Sequence, residues 1–165
     1  RIDAADERVL VVQPTVGRDS ALLAAAVAAA ERGVRVRILL SNAWYVAEEN
    51  RALAESLNAR AERGDLPLAA RVAEPEGRYG KIHAKGLVVD DAAVVGSLNW
   101  NRHAATENRE VVVVLDGMAA ADYYASVFER DWAASGDRRG AVPRLFVLVV
   151  AVVVGVAGAA LRRWF

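Results

Sequence analysis

Cysteine is absent from this 165-residue chain, so it has neither a disulfide framework nor a thiolate-held metal. Lysine is nearly absent: only two of the 21 basic side chains are lysine, and the rest are arginine. Histidine also occurs only twice. Acidic residues are missing altogether from residues 138–165, which carry five arginines. All 21 acidic residues lie in residues 1–137 with 16 basic ones, a net charge of −5. That balance argues against a broad polyanion-binding surface, because tracking a phosphate backbone wants a clustered excess of Lys and Arg. A local basic groove is still compatible with it. The chain opens on Arg1, with no charged-then-apolar leader ahead of its first strand-like run, and so reads as a fragment or processed product of a longer protein.

Apolar residues make up 55% of the chain, a share that points to a membrane element beside one compact domain. The run "RVLVVQP" (8–14) reads as a buried strand ended by Pro14. A helix follows over 20–33, with Ser20 as N-cap and Gly33 as its stop. "VRVRILL" (34–40) is the next strand, 46–64 an amphipathic helix ending at Gly64, and 68–74 a third strand before a loop over 74–80. Strands alternating with helices of this length imply a parallel sheet with crossover helices. From residue 81 the rhythm changes to three strand-like runs, 81–90, 92–97 and 109–117, and then a helix over 118–135. The "VVVVL" of 111–115 reads as sheet core, and Trp100 and Trp132 as core or interface aromatics. Trp44 and Tyr45 follow a strand end, where α/β folds place ligand-binding loops, and are candidate pocket-lining residues.

Residues 136–144 form a polar linker. Residues 145–161 run for 17 positions without a charged or strongly polar side chain. Arg144 precedes that run, and Arg162, Arg163, Trp164 and Phe165 follow it. Such a run is at the short end for a membrane-spanning helix, and its Arg and Trp flanks suit the two interfaces. A globular helix would show a polar stripe instead. The expectation is a single-pass C-terminal anchor, with its orientation open because arginines flank both sides.

Both lysines fall within four positions of one histidine, in "KIHAKGLVVD" (81–90). If this run is a strand, His83 and Lys85 share a face roughly 6.5–7 Å apart, where both reach one phosphate. Asp90 ends the run. The next strand delivers "GSLN" (96–99), in which Gly96 permits close backbone approach and Ser97 and Asn99 offer a hydroxyl and a carboxamide. Glu110, in "ENRE" (107–110), arrives beside the same strand ends. A nucleophile or base, a cation, neutral hydrogen-bonding groups and a carboxylate suit phosphoryl transfer without a metal. The other histidine, His103 in "NWNRHAATEN", has no such neighbours and reads as a loop or helix-start residue.

"HAKGLVVDDAAVVGSLN", with the glutamate downstream, resembles the H-x-K-x4-D…G-S-x-N signature (the HKD motif) of the phospholipase D superfamily. Five residues separate Asp90 from Gly96 where six is common, a difference that falls in a turn. The resemblance implies an α/β fold: a phospholipase D-like half over residues 1–135, with a mixed sheet flanked by helices, followed by the linker and one C-terminal transmembrane helix. It implies a phosphodiesterase that hydrolyses or transfers through a phosphohistidine and needs no metal or other cofactor. His83 would be the nucleophile, or the general acid if a partner half supplies the nucleophile. Lys85 and Asn99 would hold the phosphate oxygens, with Ser97 and Gly96 close by. Glu110 would bond the second ring nitrogen of His83 and fix its tautomer. Asp90, the remaining member of the catalytic motif, would order its turn. The family's site takes two such motifs and this chain has one, so the partner is a second half, from an upstream segment or a second chain. Phospholipid is the marginally favoured substrate. Trp100 after "GSLN" instead resembles nuclease-like members that act on DNA or RNA, and a non-catalytic, membrane-anchored binding module is the third reading.

Overall fold

The first apolar run folds as β1 (Arg8–Gln13) in a computed structural model that describes residues 1–75 and 77–135. Its side chains are buried on both faces, which is why it reads as a continuous apolar run rather than an alternating one. Ser20 caps α1 (Ala21–Glu31), its Oγ accepting from the Leu23 N–H at 3.5 Å. Gly33, at φ +95°, turns the chain into β2 (Arg35–Leu40). β2 lies parallel to β1, with Arg8 opposite Arg35 and Gln13 opposite Leu40. α2 (Ala47–Gly64) then crosses to β3 (Leu68–Val72), again parallel. The left-handed residue that ends α2 is Asp65, at φ 49°, one position after the glycine that marks the stop in the sequence.

The second half is antiparallel. β4 (Gly86–Val89), β5 (Ala92–Gly96) and β6 (Val112–Asp116) complete a six-stranded sheet in the order β3-β2-β1-β4-β5-β6. β4 pairs with β1, Val9 opposite Val89 and Val12 opposite Gly86, so the middle of the sheet joins a parallel half to an antiparallel one. The short helix α3 (Arg102–Thr106) precedes β6, and α4 (Met118–Ala134) follows it. His103 is the second residue of α3, as a helix-start residue should be.

Two readings of this region need correction. Residues 81–85 lie outside the ladder: β4 begins only at Gly86, because its partner strand gives out at Gln13 and Pro14 carries no N–H to continue it. β6 is an edge strand and not sheet core, with Val112, Val113 and Val114 between 44% and 46% exposed. The physical reason is connectivity. α1 and α2 belong to the crossovers among β1–β3 and cover that half of the sheet only.

Accordingly, one apolar cluster joins Val9, Val11, Val36 and Ile38 to α1 and α2, and takes in the buried Trp100. The other joins Leu10, Leu39 and Val88 to Phe128 and Trp132 of α4. No described helix is long and apolar enough to cross a membrane. The linker and the 145–161 run lie outside the described residues.

Asp90 sits in the β4–β5 turn at φ 48°. Its carboxylate accepts from the backbone N–H groups of Asp6 (3.1 Å), Glu7 (2.9 Å) and Arg8 (2.9 Å), and Arg8 Nε donates to its carbonyl at 3.1 Å. Desolvation pushes the Asp90 pKa up, but the three backbone donors and the Arg8 charge together outweigh it and hold the carboxyl below its ordinary value. The folded-state pKa is depressed, so this stabilisation is present above the unfolded-state value and disappears as pH falls through the folded one. Asp90→Ala should therefore cost about 1–2 kcal/mol in denaturant unfolding near neutrality, from N–H groups that lose a charged acceptor. The gap to wild type should close in acid. A difference that is constant down to low pH would refute this role.

Candidate active site

The parallel strands β1, β2 and β3 finish at the same end of the sheet at which β4 and β6 begin and β5 finishes. The motif residues collect there. The Gly96 N–H donates to the Lys85 carbonyl at 3.1 Å, which carries the β4–β5 pairing one step past the strand and sets Lys85 beside the glycine. The Ser97 N–H donates to Val111 O at 2.9 Å, and the Val111 N–H returns a bond to Ser97 Oγ at 3.1 Å. Ser97 Oγ in turn donates to the Glu110 carboxylate, whose other oxygen accepts from Asn108 Nδ2 at 3.0 Å. Lys85 Nζ donates to the His83 carbonyl at 2.8 Å. His83, Lys85, Gly96, Ser97 and Glu110 thus occupy the adjoining ends of three neighbouring strands. Asn99 is two residues further along the loop, where its carbonyl accepts from the Asn101 N–H at 2.8 Å and Asn101 caps α3.

Two expectations change, and a third is met. Among the described residues no hydrogen bond joins Glu110 to the His83 ring; Ser97 donates to one carboxylate oxygen and Asn108 to the other. Gly96 is small for the sake of β6 rather than a ligand: a Cβ there would run into the Val111 carbonyl and stand 2.9 Å from Val112 Cα. Asp90 belongs to the fold clamp, at the opposite end of β4 from His83. That position agrees with an ordering role and takes Asp90 out of the reacting set.

Lys85 and Glu110 set the electrostatics. Desolvation lowers the Lys85 pKa below its ordinary value, and the Glu110 charge and then Tyr45 pull it part of the way back. Glu110 is held below the usual carboxylate range by its bonds from Ser97 and Asn108 and by the Lys85 charge, against a small desolvation effect. Lys85 is thus a partly desolvated ammonium within electrostatic range of the Glu110 carboxylate. No group of three or more His, Asp or Glu side chains among the described residues is arranged to hold a metal.

On the α4 side, His83 and Lys85 help line a cleft of about 520 Å³ whose other walls include Leu10, Leu39, Val88, Val127 and Phe128. Trp44 and Tyr45 do not line it; Trp44 is 90% exposed and stands at the rim. Sequence reasoning missed three residues. Asn108 positions Glu110. Gln13, fully buried at the end of β1, donates from Nε2 to Leu98 O at 3.4 Å and so holds the 96–99 loop. Lys81 donates to the Tyr45 hydroxyl at 3.2 Å. The visible signal for Gln13 was a polar residue closing an apolar strand, and for Lys81 its place as one of only two lysines beside His83; Asn108 has none.

Residues 1–132 match the family described as cardiolipin synthase, PLD-like domain, and the chain belongs to that family. A protein of Caenorhabditis elegans described as a probable phospholipase D is 29% identical over 118 residues, covering 63% of this chain and 21% of its own length. The chain therefore spans about one fifth of that relative. Among solved structures, the phospholipase D family member Nuc from Salmonella typhimurium is 25% identical with a TM-score of 0.65, over 82% of this chain and 84% of its own. NucT from Helicobacter pylori shares the fold at 21% identity and a TM-score of 0.64, over 81% and 83% of the two chains.

The coupling of Lys85 to Glu110 is directly measurable. With only two lysines, the ammonium signals of a 15N-lysine-labelled protein can be assigned by substituting either one. Glu110→Gln keeps an acceptor for Ser97 but removes the charge, so the Lys85 midpoint should fall further. An unmoved midpoint would show that the two charges do not interact.

Proposed function

We propose that this chain is the catalytic half of a phosphodiesterase that works through a phosphohistidine at His83. The observation that carries this is the convergence of His83, Lys85, Ser97 and Glu110 on three adjoining strand ends. Membership of the PLD-like family supports chemistry at a phosphodiester. In the first step a ring nitrogen of His83 attacks phosphorus, a P–N bond forms, and the P–O bond to the leaving alcohol breaks. A second imidazole, from the other half, gives that oxygen its proton. It then takes a proton from water, which attacks phosphorus, breaks the P–N bond and releases the phosphomonoester. An alcohol in place of water gives transfer.

Lys85 and Asn99 bind the non-bridging oxygens in this scheme. Glu110 acts on them indirectly: with Ser97 it forms a fixed wall that keeps Lys85 charged and in place. Should Glu110 swing to the His83 ring when the second half docks, Ser97 and Asn108 are the bonds it must break. The second half comes from an upstream segment or another copy of the chain.

Phospholipid is the preferred substrate. The cleft beside His83 and Lys85 is walled mainly by aliphatic and aromatic side chains, which suits a phosphodiester bearing an acyl chain. Residues 145–161 would hold the enzyme at the bilayer. Trp100, whose place after "GSLN" resembles nuclease-like members, is 2% exposed, so its ring packs in the core and is not presented to a base.

The test is turnover of phosphatidylglycerol and of a soluble chromogenic phosphodiester by the full chain. His83→Ala should lose on the order of 10³-fold or more in rate while keeping its circular dichroism spectrum, since no other group here replaces a nucleophile. EDTA should leave activity intact, because Lys85 supplies the positive charge and no three carboxylate or imidazole groups among the described residues converge on a metal position. Near-normal turnover by His83→Ala would sink the assignment and leave the binding-module reading. Specific activity independent of concentration for a demonstrated monomer of this chain would show that no second half is needed.

A further inference from the structure

Trp44 is the most exposed of the large apolar side chains described, at 90%, and it stands beside the candidate site. Leaving an indole in water forgoes roughly 2 kcal/mol or more of burial, and nothing in the fold requires it there. Tyr45, half exposed, meets it edge to face at 5.5 Å. Its hydroxyl is held by Lys81 Nζ at 3.2 Å, across 36 residues of chain. Lys81 is two positions from His83, so this contact ties the β2–α2 loop to the segment that carries the candidate nucleophile. The cluster is amphipathic: indole and phenol rings outward, an ammonium behind them.

Where the described chain ends adds a second observation. Ser135, after α4, accepts from the Glu74 N–H at 2.9 Å through its hydroxyl. Glu74 lies two residues past β3, at the same sheet end as His83 and Trp44. The chain therefore leaves the domain at the site end. The nine residues 136–144 reach at most about 30 Å before the apolar run begins. A membrane entered by that run would face this end of the sheet.

We propose that Trp44, Tyr45 and Lys81 form a rim that seats the site end of the domain on a phospholipid surface, the rings at head-group depth and the ammonium against lipid phosphate. Aromatic rings with a polar tip settle at that depth in bilayers. The proposal deepens the phospholipid reading above, and its test needs no turnover.

The absence of cysteine permits a clean measurement. The full chain carrying Trp44→Cys, labelled with nitrobenzoxadiazole, is reconstituted into vesicles of phosphatidylcholine and phosphatidylglycerol. Emission should rise several-fold and be quenched by lipids bearing a nitroxide near the head group. A label at Glu62→Cys, exposed on α2 toward the opposite sheet end, should show neither effect. Lys81→Glu in the Trp44→Cys background should weaken the response, since a carboxylate would then face anionic head groups. The proposal is overturned if position 44 is as wet as position 62, or if Lys81→Glu changes nothing, which would mean that the dye alone partitions. A response at position 44 to a single-stranded oligonucleotide instead of vesicles would equally overturn it in favour of base stacking. A chain that seats on lipid but turns over nothing would fail the catalytic reading alone.

Discussion

The site end of the sheet depends on a pairing fixed at its other end. Asp90 gathers the backbone N–H groups of residues 6, 7 and 8 onto one carboxylate just where β1 begins and β4 stops. That sets Val9 opposite Val89, and the antiparallel register follows to Val12 and Gly86. A slip of one residue would turn Leu87 and Val89 from the α1 side to the α4 side and expose or overpack both cores. It would also shift His83 and Lys85 by one position against Gln13. The motif's aspartate thus serves the chemistry from a distance, by deciding which residues of the incoming segment arrive at the strand ends.

Two glycines then let the strand ends close up. At Gly86 a Cβ would stand 2.9 Å from the Val94 carbonyl, and at Gly96 it would overlap β6. With both absent, Lys85, Ser97 and Glu110 come close enough to share one electrostatic environment. The balance there is between desolvation, which works against the Lys85 charge, and the Glu110 carboxylate, which restores it. The hydroxyl of Ser97 serves both sides, accepting from the Val111 N–H and donating to Glu110. Both charges are carried on residues that directly flank strand ends, Lys85 before β4 and Glu110 before β6.

Periodicity and capping made the parallel half legible: Ser20, Gly33 and the three buried runs signal their own roles locally. The order His83, Lys85, Ser97, Glu110 likewise named residues that the fold brings to adjoining strand ends. What escaped was whatever depends on partners distant in sequence. The length of β4 is set by Pro14, some seventy residues earlier on its neighbour, so an unbroken strand over 81–90 looked reasonable. Glu110 bonds Ser97 and Asn108, and His83 belongs to a segment that enters the sheet only at Gly86. Four valines look like core until the topology leaves them on an edge with no helix over one face. Exposure is a property of the covering layer, which a strand's own residues do not encode.

The cleft beside the site has its origin in how α4 is held. The guanidinium groups of Arg71 and Arg37 stand 4.4 and 5.3 Å from the Trp132 ring centroid, and the ring stacks on Phe128. Arg37 also bonds Glu129 at 2.7 and 2.9 Å. These contacts pin the C-terminal half of α4 over β2 and β3, while Arg8 meets Asp122 near its start. Pinned at both ends across the sheet, the helix leaves the site ends of β1 and β4 partly uncovered. The gap is bounded by the 79–85 segment on its way to β4. A tryptophan held by two arginines, on the helix that walls the cleft, therefore keeps an apolar space open next to His83.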